Sequence, residues 1–167
     1  MMNTPNHEAV ERLEKIAKQS KRATVQLPQG FARDCREKNA APMLARLLQR
    51  NGFLIKVYLT LVMVSTKSPH TTRKPAADIA AALDLSKPTT SGARRVNDAL
   101  KQLETFHLIH REPRPGRVPT IQVLDARGAG EKWGDIAMGN PWITIPISLW
   151  SGGWLIALEP RDIALIV

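Results

Sequence analysis

The sequence predicts a mainly α-helical fold that carries one small β-hairpin. Apolar residues recur at helical spacing in residues 7–18, 76–83 and 91–105. An apolar run fills residues 53–64, broken only by Lys56 and Thr60, and two short β-prone segments, 108–112 and 119–124, flank a turn rich in proline and glycine.

In residues 7–18, Val10, Leu13, Ile16 and Ala17 draw one apolar stripe along an otherwise charged helix, so residues 1–22 read as an amphipathic helix in need of a partner surface. Residues 23–28 read as a short extended piece ended by Pro28, and Gln29-Gly30-Phe31 opens a turn or short helix. Pro42 suits the first turn of a helix through Leu44, Leu47 and Leu48, which Asn51-Gly52 stops. The β-branched and aromatic content of residues 53–64 equally suits a strand. Its length and its apolar residues on every side favour a central buried helix. Residues 65–74, with Pro69 and paired threonines, read as a loop.

Pro75 opens an alanine-rich helix in which Ile79 and Leu83 lie one turn apart, and its small side chains permit close helix approach. After a connector over residues 85–90, a second helix runs from about Ser91 to Thr105 with Val96, Leu100 and Leu103 on one face. Residues 108–112 and 119–124 then form two strands joined by residues 113–118, a hairpin with a basic tip. Residues 126–140 are glycine-rich and read as a linker to an apolar tail, 141–167, that contains Trp142, Trp150 and Trp154. Val25-Gln26-Leu27-Pro28 is echoed by Ile143-Thr144-Ile145-Pro146; if this is a repeat, the tail begins a second copy of the same unit.

The 24 Lys plus Arg against 15 Asp plus Glu leave a net charge of +9, which favours a polyanionic partner. The excess is not uniform. Residues 1–50 hold 10 basic and 5 acidic side chains, and 86–117 hold 7 and 3, but 118–167 hold 3 and 5, so phosphate contact is expected before the tail. The single cysteine, Cys35, excludes an internal disulfide framework and suits a reducing cytoplasm. The apolar run is too short to span a bilayer, and Glu8, Glu11 and Glu14 interrupt any signal-peptide core, so neither membrane insertion nor export is expected.

The segment Asp78-Ile79-Ala80-Ala81-Ala82-Leu83-Asp84-Leu85-Ser86, followed by Val96-Asn97-Asp98-Ala99-Leu100-Lys101-Gln102-Leu103-Glu104 and Leu108-Ile109-His110-Arg111, resembles the winged helix-turn-helix family of bacterial DNA-binding regulators over residues 75–124. The resemblance implies a DNA-binding domain over residues 23–125 whose second motif helix enters the major groove while the wing follows the backbone or minor groove. About five extra residues, Gly92 among them, separate Ser86 from the matching valine. Either the recognition helix gains a turn at its N-terminus or the connector is a longer loop.

On a helical wheel the face opposite Val96, Leu100 and Leu103 holds Arg94, Asp98, Lys101 and Thr105, flanked by Arg95, Asn97 and Gln102. Arginine pairs with guanine and asparagine with adenine through two hydrogen bonds, so Arg94, Arg95 and Asn97 are the base-reading candidates. Lys101, Lys87 and the hydroxyls of Thr89, Thr90 and Ser91 are phosphate candidates, the hydroxyls also being able to cap the helix. Arg111, Arg114 and Arg117 are the wing's candidates. Against this, Arg94 and Asp98, four apart, also fit a plain surface pair.

His107 and His110 are three apart, but Leu108-Ile109 between them reads as a helix end entering a strand, so no metal is expected. Gly128-Ala129-Gly130 lacks the context of a dinucleotide site, and no catalytic constellation or cofactor site is found. The expectation is therefore a non-enzymatic, nucleoid-associated, sequence-specific binder of double-stranded DNA acting as a transcriptional regulator, and a homodimer through the stripe of the first helix or the Trp-rich tail. Two other readings stand beside it: a plasmid or mobile-element replication initiator with tandem winged helices, and a protein-interaction winged helix that never meets DNA.

Overall fold

The structure is a computed structural model that describes residues 4–33, 41–65, 67–133 and 141–167. Cys35 and the part of the expected linker over residues 134–140 lie outside the described residues.

Helix α1 (His7–Ser20) is started by Asn6, whose side-chain oxygen accepts the backbone N–H of Glu8 at 3.1 Å, and stopped by Lys21 in the left-handed region at φ 54°. Its buried residues are Ala9, Leu13 and Ala17, with Val10 and Ile16 packed at the edge. Strand β1 (Thr24–Pro28) follows, then one 3-10 turn (Gln29–Phe31), helix α2 (Met43–Asn51) and helix α3 (Phe53–Val64). Every residue of α3 from Phe53 to Met63 is buried except Lys56, as an all-round apolar helix requires. Helices α1 and α2 pack against it.

Strand β2 (Thr71–Thr72) and helix α4 (Ala76–Ala82) come next, followed by helix α5 (Ser91–Thr105), strand β3 (Ile109–Arg114) and strand β4 (Arg117–Val123). These strands form an antiparallel sheet in the order β2-β4-β3, with Thr71 opposite Gln122 and Ile109 opposite Val123. Two details differ from the sequence expectation. The segment read as a loop holds β2, which at two residues is too short to show any alternation. The hairpin is also longer than expected: its strands continue to Arg114 and Arg117, leaving only Pro115-Gly116 as the turn. Pro113 is accommodated at a register shift between Glu112 and Arg114.

The tail comprises strand β5 (Trp142–Pro146) and helices α6 (Ser148–Ser151), α7 (Trp154–Ala157) and α8 (Pro160–Ile166). Strand β5 pairs antiparallel with β1, centred on Gln26 opposite Thr144, and α6 packs on α1 while α8 packs on α2 and α3. Leu149, Trp150, Leu155 and Ile163 join the same core as α3 and α5. The stripe of α1 is thus covered by α3, α4 and α6 of its own chain and is not an open dimer surface. The two echoing segments are the two strands of this one sheet. Each is followed by a short helical turn and then two helices.

The first residues of the expected linker are held in place. Ala126 is buried, and Asp125, 1% exposed, accepts the backbone N–H of Arg127 at 2.9 Å and its guanidinium at 2.8 and 3.0 Å. The architecture is mainly helical with a small antiparallel hairpin, as the sequence predicts at that level, and the β1–β5 sheet is an addition to that expectation.

Candidate nucleic-acid interface

Two close contacts seat α5. Ile79, Ala80 and Ala82 of α4 are buried, and α5 approaches them at Gly92, where an added Cβ would lie 3.3 Å from the Ala80 Cβ and 3.0 Å from the Ser86 carbonyl oxygen. The connector closes through hydrogen bonds from the backbone N–H of both Thr90 and Gly92 to the Lys87 carbonyl, each 3.0 Å, with Asp84 and Lys87 themselves in the left-handed region. Because α5 begins at Ser91, the extra residues lengthen the helix by a turn ahead of Val96. Thr90 occupies the cap position but makes no capping bond; its hydroxyl donates to the Lys87 carbonyl at 3.4 Å. Lys87, Thr89, Thr90 and Ser91 are all exposed around this end of the helix.

Gly92, Val96, Ala99, Leu100 and Leu103 form the buried face of α5, and Arg94, Asn97, Asp98, Lys101 and Thr105 are exposed. The two flanks have different neighbours. Glu104, one turn on from Lys101, bonds Arg111 of β3, so Asn97, Lys101 and Glu104 lie on the hairpin side. On the other side, Gln102 accepts from the Arg50 guanidinium of α2 at 3.3 Å, and the Arg95 guanidinium lies 4.2 Å from the centroid of the Phe53 ring. Arg95 therefore stands on the flank facing α2 and α3, apart from Arg94 and Asn97. It borders a cleft of ≈ 410 Å³ with Lys56 and Glu159 on its walls. Burial lowers the Lys56 ammonium from its ordinary value; the Glu159 charge opposes this and the Arg95 charge adds to it.

At the hairpin tip Arg114 and Arg117 face each other across the last pair of the ladder, and Gly116, at φ 66°, completes the turn after Pro115 with open space around it. Like charges placed opposite on a ladder destabilise it, and a bound anion relieves that repulsion. Arg73, beside β2, donates to the Thr120 hydroxyl at 3.3 Å on the same sheet. Among the described residues no ion pair engages Lys87, Arg94, Lys101, Arg114 or Arg117, nor are Arg94 and Asp98 paired.

Arg111 differs from the other wing candidates. Its guanidinium donates to Glu104 Oε2 at 2.8 and 3.0 Å and its backbone N–H to Oε1 at 3.0 Å, so it clamps the hairpin to α5 with its charge met by a carboxylate. Partial burial pushes the Glu104 carboxyl up, but the Arg111 hydrogen bonds and charge, with the charge of His110, outweigh it and hold the group below the usual carboxylate range. The clamp's stability is thus fully present above the unfolded value and lost as the pH falls through the lower, folded one. Protection factors of the β3 amides, taken relative to intrinsic exchange at each pH, are expected to fall in that acid window. In Glu104→Gln they should already be low at neutral pH and vary less with acid; an unchanged acid dependence would place the sensitivity elsewhere.

Glu104, Arg50 and Arg73 have no local sequence signal, since each partner lies on another element. Among the described residues no three His, Cys, Asp or Glu side chains gather to hold a metal ion, and no helix is long and apolar enough to cross a membrane. Comparison of the chain with protein-family models, with curated proteins and with solved structures finds no match.

Proposed function

We propose that this chain is a winged helix-turn-helix protein that binds double-stranded DNA, with α5 in the major groove and the β3–β4 hairpin as the wing. The observation that carries this reading is the arrangement of cations that have no carboxylate partner among the described residues. Arg94 and Lys101 project from the outer side of α5, and the Arg114–Arg117 pair extends from the adjoining hairpin. Arg94 and Asn97 read base edges. Lys87, Lys101 and the hydroxyls of Thr89, Thr90 and Ser91 hold phosphates, and Arg114 and Arg117 grip the backbone or a narrow minor groove. The role is binding without catalysis, as a transcriptional regulator of nucleoid DNA.

Titration with salt tests it. If phosphates are contacted, the affinity for duplex DNA falls with salt at a log–log slope of about 0.9 per neutralised phosphate. Lys101→Ala and Arg114→Ala should each reduce that slope and weaken all sequences alike. A response to salt that is flat, in the wild type and in both variants, favours a winged helix that binds protein.

A second reading, a replication initiator with tandem winged helices, is supported by the repeated order of strand, short turn, helix and helix in β5–α8 after β1–α3. Leu165 and Ile166 on α8 are 87% and 53% exposed, whereas α3 is buried along its length. On the regulator reading, the exposed apolar side chains of the tail, Trp154, Leu165 and Ile166, are where two copies would meet to read paired half-sites. A footprint covering two adjacent sites per chain favours the initiator, and one per chain in a two-fold pair favours the dimer.

A further inference from the structure

We infer that Arg46 and Arg50 of α2, aligned with Arg95, form a second phosphate-binding rail on the side of α5 away from the hairpin. This rests on the reading of α5 as the DNA-reading helix.

The rail is set out along one line of α5. Residues 95, 102 and 106 are spaced seven and four apart, which at about 100° per residue keeps them within about 20° of a common flank over about 16 Å of helix. Each position is matched to one arginine. Arg95 lies over Phe53; Arg50 Nε donates to Gln102 Oε1 at 3.3 Å; and the Arg46 guanidinium stands 5.3 Å from the centroid of the Phe106 ring, just past the end of α5. Arg46 and Arg50 are themselves one turn apart on α2 and both exposed.

The chemistry of the partners decides what these arginines can do. An aromatic face or a neutral amide positions a guanidinium without cancelling its charge, and both leave N–H donors for a further acceptor. Elsewhere in the chain, Arg111 and Arg127 are neutralised by Glu104 and Asp125. The acids that line the cleft below Arg95 are Asp84, which already accepts the Asn6 backbone N–H at 2.9 Å, and Glu159, whose charge acts on Lys56. A helix lodged in the major groove has a phosphate backbone on each side. The hairpin supplies cations to one, and this row supplies them to the other, at a spacing that spans several phosphates of one strand.

The test uses the full chain and a short random-sequence duplex, with affinity measured by fluorescence anisotropy over about 50 to 200 mM salt. Arg46→Gln with Arg50→Gln is expected to lower the log–log slope by about 0.9 for each side chain and to weaken every duplex to the same extent. Arg46→Lys with Arg50→Lys keeps the charge and should keep the wild-type slope, which separates phosphate contact from a packing role against Phe106. A steep wild-type slope left unchanged by the glutamine pair, or lost equally in the lysine pair, overturns the rail. A flat wild-type response instead removes the DNA reading on which it rests.

Discussion

Replacement of Trp150 by alanine is expected to lower the stability of the whole chain by about 3 to 5 kcal/mol. Trp150 belongs to the tail, where sequence reasoning allowed packing against the first domain, an interface with a second subunit, or the start of another unit. In the structure its side chain is fully buried, on a helix packed against α1, and it shares one core with α3 and α5. Removing it leaves a cavity lined by elements from both ends of the chain. Among the described residues its indole N–H has no hydrogen-bond partner, so deletion also relieves an unsatisfied donor, an offset of about 1 to 3 kcal/mol already inside the spread of such measurements. For a chain of this size the thermal midpoint should fall by about 10 °C. Trp154, 49% exposed, is the control: its alanine variant gives up only the covered half of the side chain and should cost clearly less, about 1 to 2 kcal/mol. Equal, small effects at both positions would mean that the tail does not contribute to this core.

Arg94→Ala is expected to relax the preference at one base position by about 1 to 3 kcal/mol, roughly 5- to 150-fold, while other positions keep their ranking. Arg94 is exposed on the outer side of α5, no carboxylate among the described residues holds it, and it stands opposite the buried Val96 side of the helix. Asn97→Ala should act likewise at a different position, because its side chain sits on the hairpin flank of the same surface. Arg95→Ala should not. With its guanidinium over Phe53, its loss is expected to weaken all duplexes alike and to leave the base ranking intact. Competition among all single-base variants of a selected duplex reads these outcomes directly. Uniform weakening by Arg94→Ala and Asn97→Ala would show that α5 contacts only the backbone.

The helices of this chain were the most legible part of it. The stripe of α1, the all-round apolar α3 and the Val96-Leu100-Leu103 face of α5 are periodic signals over three or more turns, and α5 ends where that periodicity places it and takes the longer of the two starts the sequence left open. Short strands carry no such signal. Strand β2 exists because β4 offers it a hydrogen-bonding edge, and the hairpin extends past Pro113 because a register shift absorbs the proline. The sites divide in the same way. That Arg94, Asn97 and Lys101 face outward follows from helical geometry alone, whereas the capture of Arg111 by Glu104 depends on how the hairpin folds back on α5.

By itself, then, the order of residues determined where helices form, which of their faces are apolar, and where positive charge accumulates, because these depend on neighbours within about two turns. Tertiary structure alone decided that the tail closes the first core through β1 and β5, that the stripe of α1 is occupied within the chain, and which arginines keep their charge open to a partner. Those outcomes rest on contacts between residues tens of positions apart, and no local pattern encodes which apolar face or which carboxylate a side chain will meet.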